Sequence, residues 1–180
     1  MQIFLSLLSI NLETFWLPII KSWLAQKFLS QQTIHLVIDR TIWEQKNLIV
    51  ISIIYDHRAI PVYFQFLPKL GSSNLAEQKE IISRIIPVFQ EYSTILLGDR
   101  EFCSVKLANW LREQNLLFCL RLKKNELVAG ENDIWTQLDD LGLQPGVSIF
   151  LEGVKVTQTK KVSGFNLAGR WQRKISGVTP

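Results

Sequence analysis

The sequence predicts a mixed α/β fold in which a five-stranded sheet is flanked by helices. Over residues 33–122, short apolar runs alternate with two amphipathic stretches at helical spacing, in the order strand, strand, strand, helix, strand, helix, strand. The chain has 180 residues, of which 47% are apolar, so it is large enough for one hydrophobic core. This composition excludes a disordered tail or an acidic solvating segment.

Residues 1–30 precede the core and form one largely apolar segment. Leu12, Trp16 and Ile20 recur at helical spacing, which predicts a packing helix that bends near Pro18. Charged residues interrupt the segment before it reaches the length of a bilayer-spanning helix, about 20 residues. No basic residue precedes the apolar stretch, as a targeting signal would require. We therefore expect no membrane anchor and a cytoplasmic location.

Five segments of the core are predicted to be strands and two to be helices. The strands are residues 34–38, 47–55, 60–67, 94–97 and 116–122. Residues 56–59 form a turn, and the first helix starts at Asn74, which pairs with Glu77 in a capping box. The second helix covers residues 104–114. The first strand is nearly all apolar, which is typical of a strand buried on both faces.

The C-terminal part of the sequence predicts a smaller, β-rich region. It contains a short helix over residues 133–141, a turn at Pro145 and Gly146, and β-like runs at residues 148–151, 154–159 and 166–172. The predicted organisation is an N-terminal packing helix (1–30), a core (31–125) and a β-rich insertion (126–180).

The positive charge is concentrated at the C-terminal end. Residues 153–180 contain six lysines and arginines and no acid, whereas the preceding residues hold 14 basic and 16 acidic side chains. A basic segment beside a nearly neutral body is typical of nucleic-acid binding, although a solvated strand surface or a truncation explains it equally well. Only two histidines and two cysteines are present, without CxxC spacing, which excludes a Cys/His zinc site.

Asp39 and Asp99 are the candidate catalytic and metal-binding residues, because each ends a continuous apolar strand. A three-strand meander followed by two crossover helices makes the first and fourth strands parallel neighbours, about 4.8 Å apart. Functional groups gather at the carboxyl ends of strands in such open sheets. We therefore expect the two carboxylates to share a divalent cation. The alternative is that both are strand-end caps or ion-pair partners of Arg40 and Arg100.

The chemistry of two neighbouring acids favours a hard metal ion. Two partly buried carboxylates repel each other unless a cation neutralises them. Oxygen ligands suit Mg²⁺ or Mn²⁺, and both ions also recruit phosphate oxygens. Such ions can activate water and stabilise the leaving oxygen during an in-line attack on a phosphodiester.

The two segments that contain these acids resemble a known family. Residues 35–41 (HLVIDRT) and 96–102 (LLGDREF) are similar to the first and second acidic motifs of bacterial insertion-sequence transposases of the DDE type, in the group with a Tyr-Arg-Glu-Lys motif. The resemblance implies a ribonuclease H-like core with sheet order 3-2-1-4-5 and an antiparallel second strand. It also implies Mg²⁺-dependent phosphodiester hydrolysis at transposon ends and strand transfer to target DNA, with Asp39 and Asp99 holding the ions.

The third acid of that family is a glutamate in the pattern Tyr-x-x-Arg-x-x-x-Glu, which this sequence lacks. Tyr55 and Arg58 have the first spacing, but Val62 occupies the position of the glutamate. Glu101 is too close to Asp99 to replace it. We therefore expect a truncated transposase, or one half of a frameshifted gene, whose β-rich insertion is incomplete and which is inactive alone.

Candidate DNA-binding residues are basic side chains that follow the fifth strand or lie among aromatic residues of the tail. They are Lys123, Lys124, Lys160, Lys161, Arg170, Arg173 and Lys174. A solvated loop and an amphipathic hairpin would explain the same residues. The expected partners are transposon ends and target DNA, together with a second copy of the chain or an intact transposase.

Two other functions stay open at this point. One is a metal-dependent nuclease that shares the core and nicks DNA without joining strands. The other is a non-catalytic DNA-binding remnant, whose DNA binding would be unaffected by Asp39→Ala and by a chelator.

Overall fold

A computed structural model describes residues 11–156 and 162–171 of the chain. The chain divides into two compact units, Met1–Arg121 and Leu122–Pro180. The predicted boundary between core and insertion, after residue 125, lies close to this division. Within the described ranges, no helix combines the length and the apolar character needed to cross a membrane.

The first unit contains the predicted strands and helices. Its strands are β1 (Thr33–Trp43), β2 (Lys46–Tyr55), β3 (Arg58–Leu67), β4 (Ser93–Gly98) and β5 (Leu117–Leu120). Its α-helices are α1 (Leu17–Lys27), α2 (Leu75–Phe89) and α3 (Val105–Glu113). A short π-helix, Leu12–Trp16, precedes α1, and Pro18 lies in the first turn of α1. The change of helix type therefore falls where the sequence predicts a bend.

The five strands form one mixed sheet in the order β3-β2-β1-β4-β5. β2 pairs antiparallel with β1 and β3, whereas β4 pairs parallel with β1 and β5. The crossovers that parallel neighbours require are α2, between β3 and β4, and α3, between β4 and β5. The predicted sheet order and antiparallel second strand are confirmed, and the topology is ribonuclease H-like.

The hydrophobic core lies against one face of the sheet. Ile34, Leu36 and Ile38 of β1 are almost fully buried and share a core with apolar residues of all three helices. The alternate residues His35 and Val37 are exposed and half-buried. The prediction that this strand is buried on both faces is therefore wrong. Its side chains are apolar on both faces, so the sequence pattern hides the alternation.

The opposite face of the sheet carries apolar side chains that are half-buried or exposed, and we call it the open face. The strand register aligns these side chains, because alternate residues of paired strands point to the same face. Its apolar residues include Val37, Leu48, Val50, Ile54, Phe64, Phe66, Ile95, Leu97 and Leu117. Ile54 and Phe66 are each 39% exposed and Leu117 is 58% exposed.

Two local predictions in the first unit are confirmed. Asp56 and His57 form the turn between β2 and β3, and both have positive φ, 47° and 58°, as a two-residue type I′ turn requires. At the start of α2, the Glu77 amide donates to Asn74 Oδ1 at 3.0 Å, and the Asn74 amide donates to Glu77 Oε2 at 2.7 Å. This reciprocal pair is the predicted capping box.

The second unit is β-rich, as predicted. Its strands are β6 (Leu127–Ala129), β7 (Trp135–Gln137), β8 (Ser148–Val156) and β9 (Val162–Arg170). They form an antiparallel sheet in the order β7-β6-β8-β9.

The helix predicted over residues 133–141 is wrong. Trp135–Gln137 pairs antiparallel with Leu127–Ala129, and only a single 3₁₀ turn, Leu138–Asp140, follows it. Pairing with a neighbouring strand overrides the local pattern here, as is common for short segments.

Two predicted runs, residues 148–151 and 154–159, belong to one strand. Gly153 has a φ of 64°, and the register with β9 shifts between Leu151 and Val154. This bulge explains the break in the sequence pattern. Residues 157–159 lie outside the described residues, as does residue 172 of the last predicted run, which begins earlier than predicted, at Val162.

We expect His57→Gly to stabilise the first unit by about 1 kcal/mol, because a side chain at positive φ is strained and glycine is not. Urea unfolding followed by circular dichroism measures the change. The matched control is Ser83→Gly in α2, where glycine should instead destabilise by about 0.5 kcal/mol. Equal destabilisation by both substitutions would contradict the type I′ turn.

Candidate metal centre

Asp39 lies inside β1, at the point where its parallel partner ends. β1 continues to Trp43 because it stays paired with β2, up to Lys46. Its parallel pairing with β4 stops at Ile38, opposite Gly98. The prediction that Asp39 ends its strand is therefore wrong, and the residue instead directly follows the last pair of β1 and β4.

Asp99 is the first residue after β4. Because Ile38 is opposite Gly98, the next residue on each of the two chain segments is a candidate acid. Adjacent strands lie about 4.8 Å apart. The register thus brings Asp39 and Asp99 to neighbouring positions at the carboxyl edge of the parallel pair, as the sequence predicts.

Both candidate acids are exposed, not partly buried as the sequence predicts. Asp39 Oδ1 accepts a hydrogen bond from the Arg40 amide at 2.8 Å, and Asp99 Oδ1 accepts one from the Glu101 amide at 2.9 Å. Within the described residues, neither carboxylate forms an ion pair with a lysine or arginine. Each acid therefore accepts a hydrogen bond from a nearby backbone amide. The described residues show no ion pair of either acid with Arg40 or Arg100.

Close packing beneath Gly98 determines where the chain turns after β4. A Cβ at this position would lie 2.9 Å from Leu120 Cδ2 and 3.0 Å from Phe102 Cβ, so a side chain there would have to displace both neighbours. Phe102 is completely buried, and its amide donates to the Asp99 carbonyl at 3.1 Å. Glycine thus provides the space, phenylalanine anchors the turn in the core, and Asp99 is left at the surface.

Arg40 and Glu101 form an ion pair that joins the two segments carrying the acids. Arg40 Nε donates to both carboxylate oxygens of Glu101, at 2.6 and 2.9 Å. The two side chains are only 20% and 13% exposed. Arg40 directly follows Asp39, and Glu101 lies two residues after Asp99. This pair is not predictable from the sequence, because nothing in a single sequence links side chains that are 61 residues apart.

Glu101 also holds the loop that precedes α2. Ser73 donates to Glu101 Oε1 from both its amide, at 2.9 Å, and its hydroxyl, at 2.8 Å. Asn47 is 1% exposed, accepts a hydrogen bond from Arg40 at 3.2 Å, and donates to two carbonyls of the loop after β3, at 2.9 and 2.7 Å. The network satisfies polar groups that would otherwise be buried without partners.

The surroundings of Glu101 keep its carboxylate charged. Burial alone raises the pKa of Glu101, but the hydrogen bonds from Ser73 and Arg40, together with the charge of Arg40, outweigh burial and lower the pKa below its ordinary value. Glu101 therefore neutralises Arg40 at neutral pH. Within the described residues, neither Asp39 nor Asp99 forms an ion pair of its own.

The donor chemistry of Asp39 and Asp99 fits a divalent cation. Both are hard oxygen donors next to the last pair of β1 and β4, exposed and without an ion-pair partner in the described ranges, which suits Mg²⁺ or Mn²⁺. The part of the chain that the structure describes has no group of three or more His, Cys, Asp and Glu residues that could hold a metal. Two acids would thus supply only part of a coordination sphere, and water or substrate oxygens would supply the rest.

The candidate DNA-binding residues that can be located lie in the second unit. Lys160, Lys161, Arg173 and Lys174 lie outside the described residues. Lys123 and Lys124 are exposed between β5 and β6, and Lys124 Nζ forms an ion pair with Asp139 at 2.9 Å. Arg170 is exposed at the end of β9. All three side chains are accessible, as contact with phosphate groups requires.

Comparison with known proteins links this arrangement to one family. The family model described as the transposase DDE domain matches residues 30–165, a range that includes both acids. No curated protein matches the chain. Among solved structures, the crystal structure of the catalytic core domain of BIV integrase is similar, with 16% sequence identity and a TM-score of 0.38. The similarity covers 51% of this chain and 56% of that chain.

We expect Glu101→Gln to lower the free energy of unfolding by about 2 kcal/mol at neutral pH, because Arg40 loses its anionic partner. The pKa of Glu101 is lowered in the folded protein. Its stabilisation is therefore complete above the ordinary glutamate pKa, about 4.3, and is lost as the pH falls through the lower folded-state value. Urea unfolding at several pH values measures this difference.

The control for this prediction is Glu113→Gln, at the exposed end of α3. It should change stability by less than about 0.5 kcal/mol. A cost of Glu101→Gln that stays constant from neutral pH into the acid range would contradict the assigned role of the charge.

Proposed function

The chain belongs to the transposase DDE domain family, and on that premise we propose that it is part of a DNA transposase in which Asp39 and Asp99 are metal-binding catalytic acids. The observation that carries the proposal is the parallel register of β1 and β4, because each acid is the next residue after their last pair, Ile38 and Gly98. The proposed substrates are transposon ends and target DNA, in the cytoplasm.

Asp39 and Asp99 would hold Mg²⁺ or Mn²⁺ through their carboxylate oxygens. A divalent ion bound there would polarise a phosphodiester and increase the acidity of an attacking water or 3′-hydroxyl. Each carboxylate already has Oδ1 oriented by a backbone amide. Because both acids are exposed, a phosphodiester can approach them from solvent.

The proposed reaction has two steps. Water attacks the phosphorus at a transposon end, the bond to the 3′ oxygen breaks, and a 3′-hydroxyl is freed. That hydroxyl then attacks a phosphorus of target DNA, and the bond to the displaced 3′ oxygen of the target breaks. The two acids contribute by holding charge where the phosphodiester must be neutralised.

The 180 residues are not expected to complete this reaction alone. The sequence lacks a glutamate in the family's pattern Tyr-x-x-Arg-x-x-x-Glu, and two exposed carboxylates hold a divalent ion weakly. We propose that the chain binds metal and DNA, and that strand transfer requires a third acid that this sequence does not supply in that pattern. A second copy or an intact transposase is the proposed protein partner.

We propose that DNA contact is made by exposed cations of the second unit, Lys123, Lys124 and Arg170, with the basic residues of the tail. These side chains neutralise phosphates and carry no sequence information. The absence of the third acid also supports a non-catalytic DNA-binding remnant as a second candidate, whose DNA binding does not depend on Asp39, Asp99 or metal.

Metal binding tests the proposed acids directly. We expect Mn²⁺ to raise the melting temperature of the chain, since a ligand that binds only the folded state stabilises it. Asp39→Asn and Asp99→Asn should each remove this shift, and should slightly raise the melting temperature without metal because they relieve repulsion. Differential scanning fluorimetry with and without Mn²⁺ measures both effects.

The control for the metal experiment is Asp56→Asn, which changes an exposed aspartate in the turn between β2 and β3. Asparagine also tolerates positive φ, so this variant should keep the full Mn²⁺ shift. A wild-type chain that does not respond to Mn²⁺, or a shift that survives in Asp99→Asn, would refute the proposed site.

DNA binding should depend on the cations of the second unit. We expect the combined change Lys123→Ala and Lys124→Ala to weaken binding to duplex DNA of any sequence. Because two phosphate contacts are lost, the slope of log affinity against log salt concentration should become shallower by about 1.8. Fluorescence anisotropy over a salt series measures the slope. Lys106→Ala, in α3 of the first unit, is the control and should leave the slope unchanged.

The anisotropy assay, together with electrophoresis of the DNA strands, separates the candidate functions. Affinity that falls with a chelator or with Asp39→Ala supports the metal-dependent site, whereas unchanged affinity supports the non-catalytic remnant. Nicking of DNA without joining would favour a nuclease.

A further inference from the structure

We propose that Arg40 and Glu101 are positioning residues whose ion pair holds Asp39 and Asp99 side by side. The inference deepens the proposed function and rests on it, since it assigns a task to residues behind the two acids. Neither Arg40 nor Glu101 is proposed to touch metal or substrate. They act through the chain segments that carry the acids.

Asp39 and Asp99 lie just beyond the last residue pair of the ladder between β1 and β4. That last pair is Ile38 with Gly98. Beyond this point β1 stays paired with β2, whereas the chain after β4 leaves the sheet. Side-chain contacts between the diverging segments can therefore add to the ladder in fixing the separation of the two acids.

The Arg40–Glu101 pair supplies that contact. Each residue of the pair is close to one acid along the chain. Arg40 directly follows Asp39, and Glu101 lies two residues after Asp99. The contact is close, since Arg40 Nε lies 2.6 and 2.9 Å from the two carboxylate oxygens of Glu101. Charge-assisted hydrogen bonds are shorter than neutral ones and roughly twice as strong.

The same two residues also orient the acids through their own amides. The Arg40 amide donates to Asp39 Oδ1, and the Glu101 amide donates to Asp99 Oδ1. The side chains of Arg40 and Glu101 are thus tied to each other, while their backbones are tied to the two carboxylates. Fixing the ion pair fixes the amides, and the amides place the carboxylate oxygens.

The pair is further braced from the side of the core. Glu101 accepts two hydrogen bonds from Ser73, and Arg40 donates to Asn47, which is almost fully buried. Outer partners that orient metal-binding side chains commonly change metal affinity by roughly 10- to 100-fold when removed. With two acids as the proposed protein ligands, the hold on an ion depends strongly on their mutual placement.

The first test measures amide hydrogen exchange by NMR without metal. We expect Glu101→Gln to increase the exchange rates of the Arg40 and residue 101 amides roughly tenfold relative to wild type. The control is Val88→Ala in α2. This substitution lowers the stability of the protein by removing core packing, and it leaves the ion pair intact. The inference is overturned if Glu101→Gln does not speed exchange of these two amides, or if Val88→Ala speeds it by the same factor.

The second test measures Mn²⁺ affinity by electron paramagnetic resonance of free Mn²⁺. Arg40→Gln and Glu101→Gln should each weaken binding by about tenfold. The double variant should lose no more Mn²⁺ affinity than the single variant that binds Mn²⁺ more weakly, because each change removes the same ion pair. Arg40→Lys, which keeps the charge, should recover part of the affinity.

The outcomes separate this inference from the proposed function. If wild type binds Mn²⁺ and Asp99→Asn does not, but Glu101→Gln binds as tightly as wild type, the positioning role is refuted and the proposed site stands. If wild type binds no Mn²⁺, the proposed site fails, while faster amide exchange in Glu101→Gln still supports a pair that holds the two segments together. Fully additive losses in the double variant would contradict a shared role.

Discussion

The parallel pairing of β1 with β4 is the interaction on which the candidate site depends. These strands are far apart in sequence, and the crossover through α2 is what makes them neighbours in the same direction. Parallel direction matters because it brings the carboxyl ends of both strands to one edge. Had they been antiparallel, Asp39 and Asp99 would lie at opposite ends of the sheet. Topology therefore decides whether the two acids can act together.

Much of this topology could be predicted from the sequence, because short apolar runs and amphipathic helical patterns alternate in clearly separated segments. The sheet order and the capping box at Asn74 belong to this group. The misassigned segments are those where tertiary contacts decide. Trp135–Gln137 is a strand only because β6 is available to pair with it. The first strand looked buried on both faces, since an apolar residue does not reveal whether anything covers it.

The two candidate acids could be predicted from the sequence, whereas the residues that contact and position their segments could not. An acid after an apolar run, seen at Asp39 and again at Asp99, is a local signal that a reader can find. The partnership of Arg40 with Glu101 is not, since each residue has a nearer charged neighbour in the sequence. Only the fold shows that Glu101 turns away from solvent toward Arg40 and Ser73. The role of Gly98 is equally invisible until Phe102 and Leu120 are placed beside it.

The open face has a consequence for the acids, because both lie at its margin. Val37, which belongs to that face, is two residues from Asp39, a separation of about 7 Å along a strand. Leu97 stands in the same relation to Asp99. Anything that shelters these apolar side chains from water would thus come within about one side-chain length of the candidate acids. Whatever covers the open face of this sheet therefore also controls how accessible Asp39 and Asp99 are.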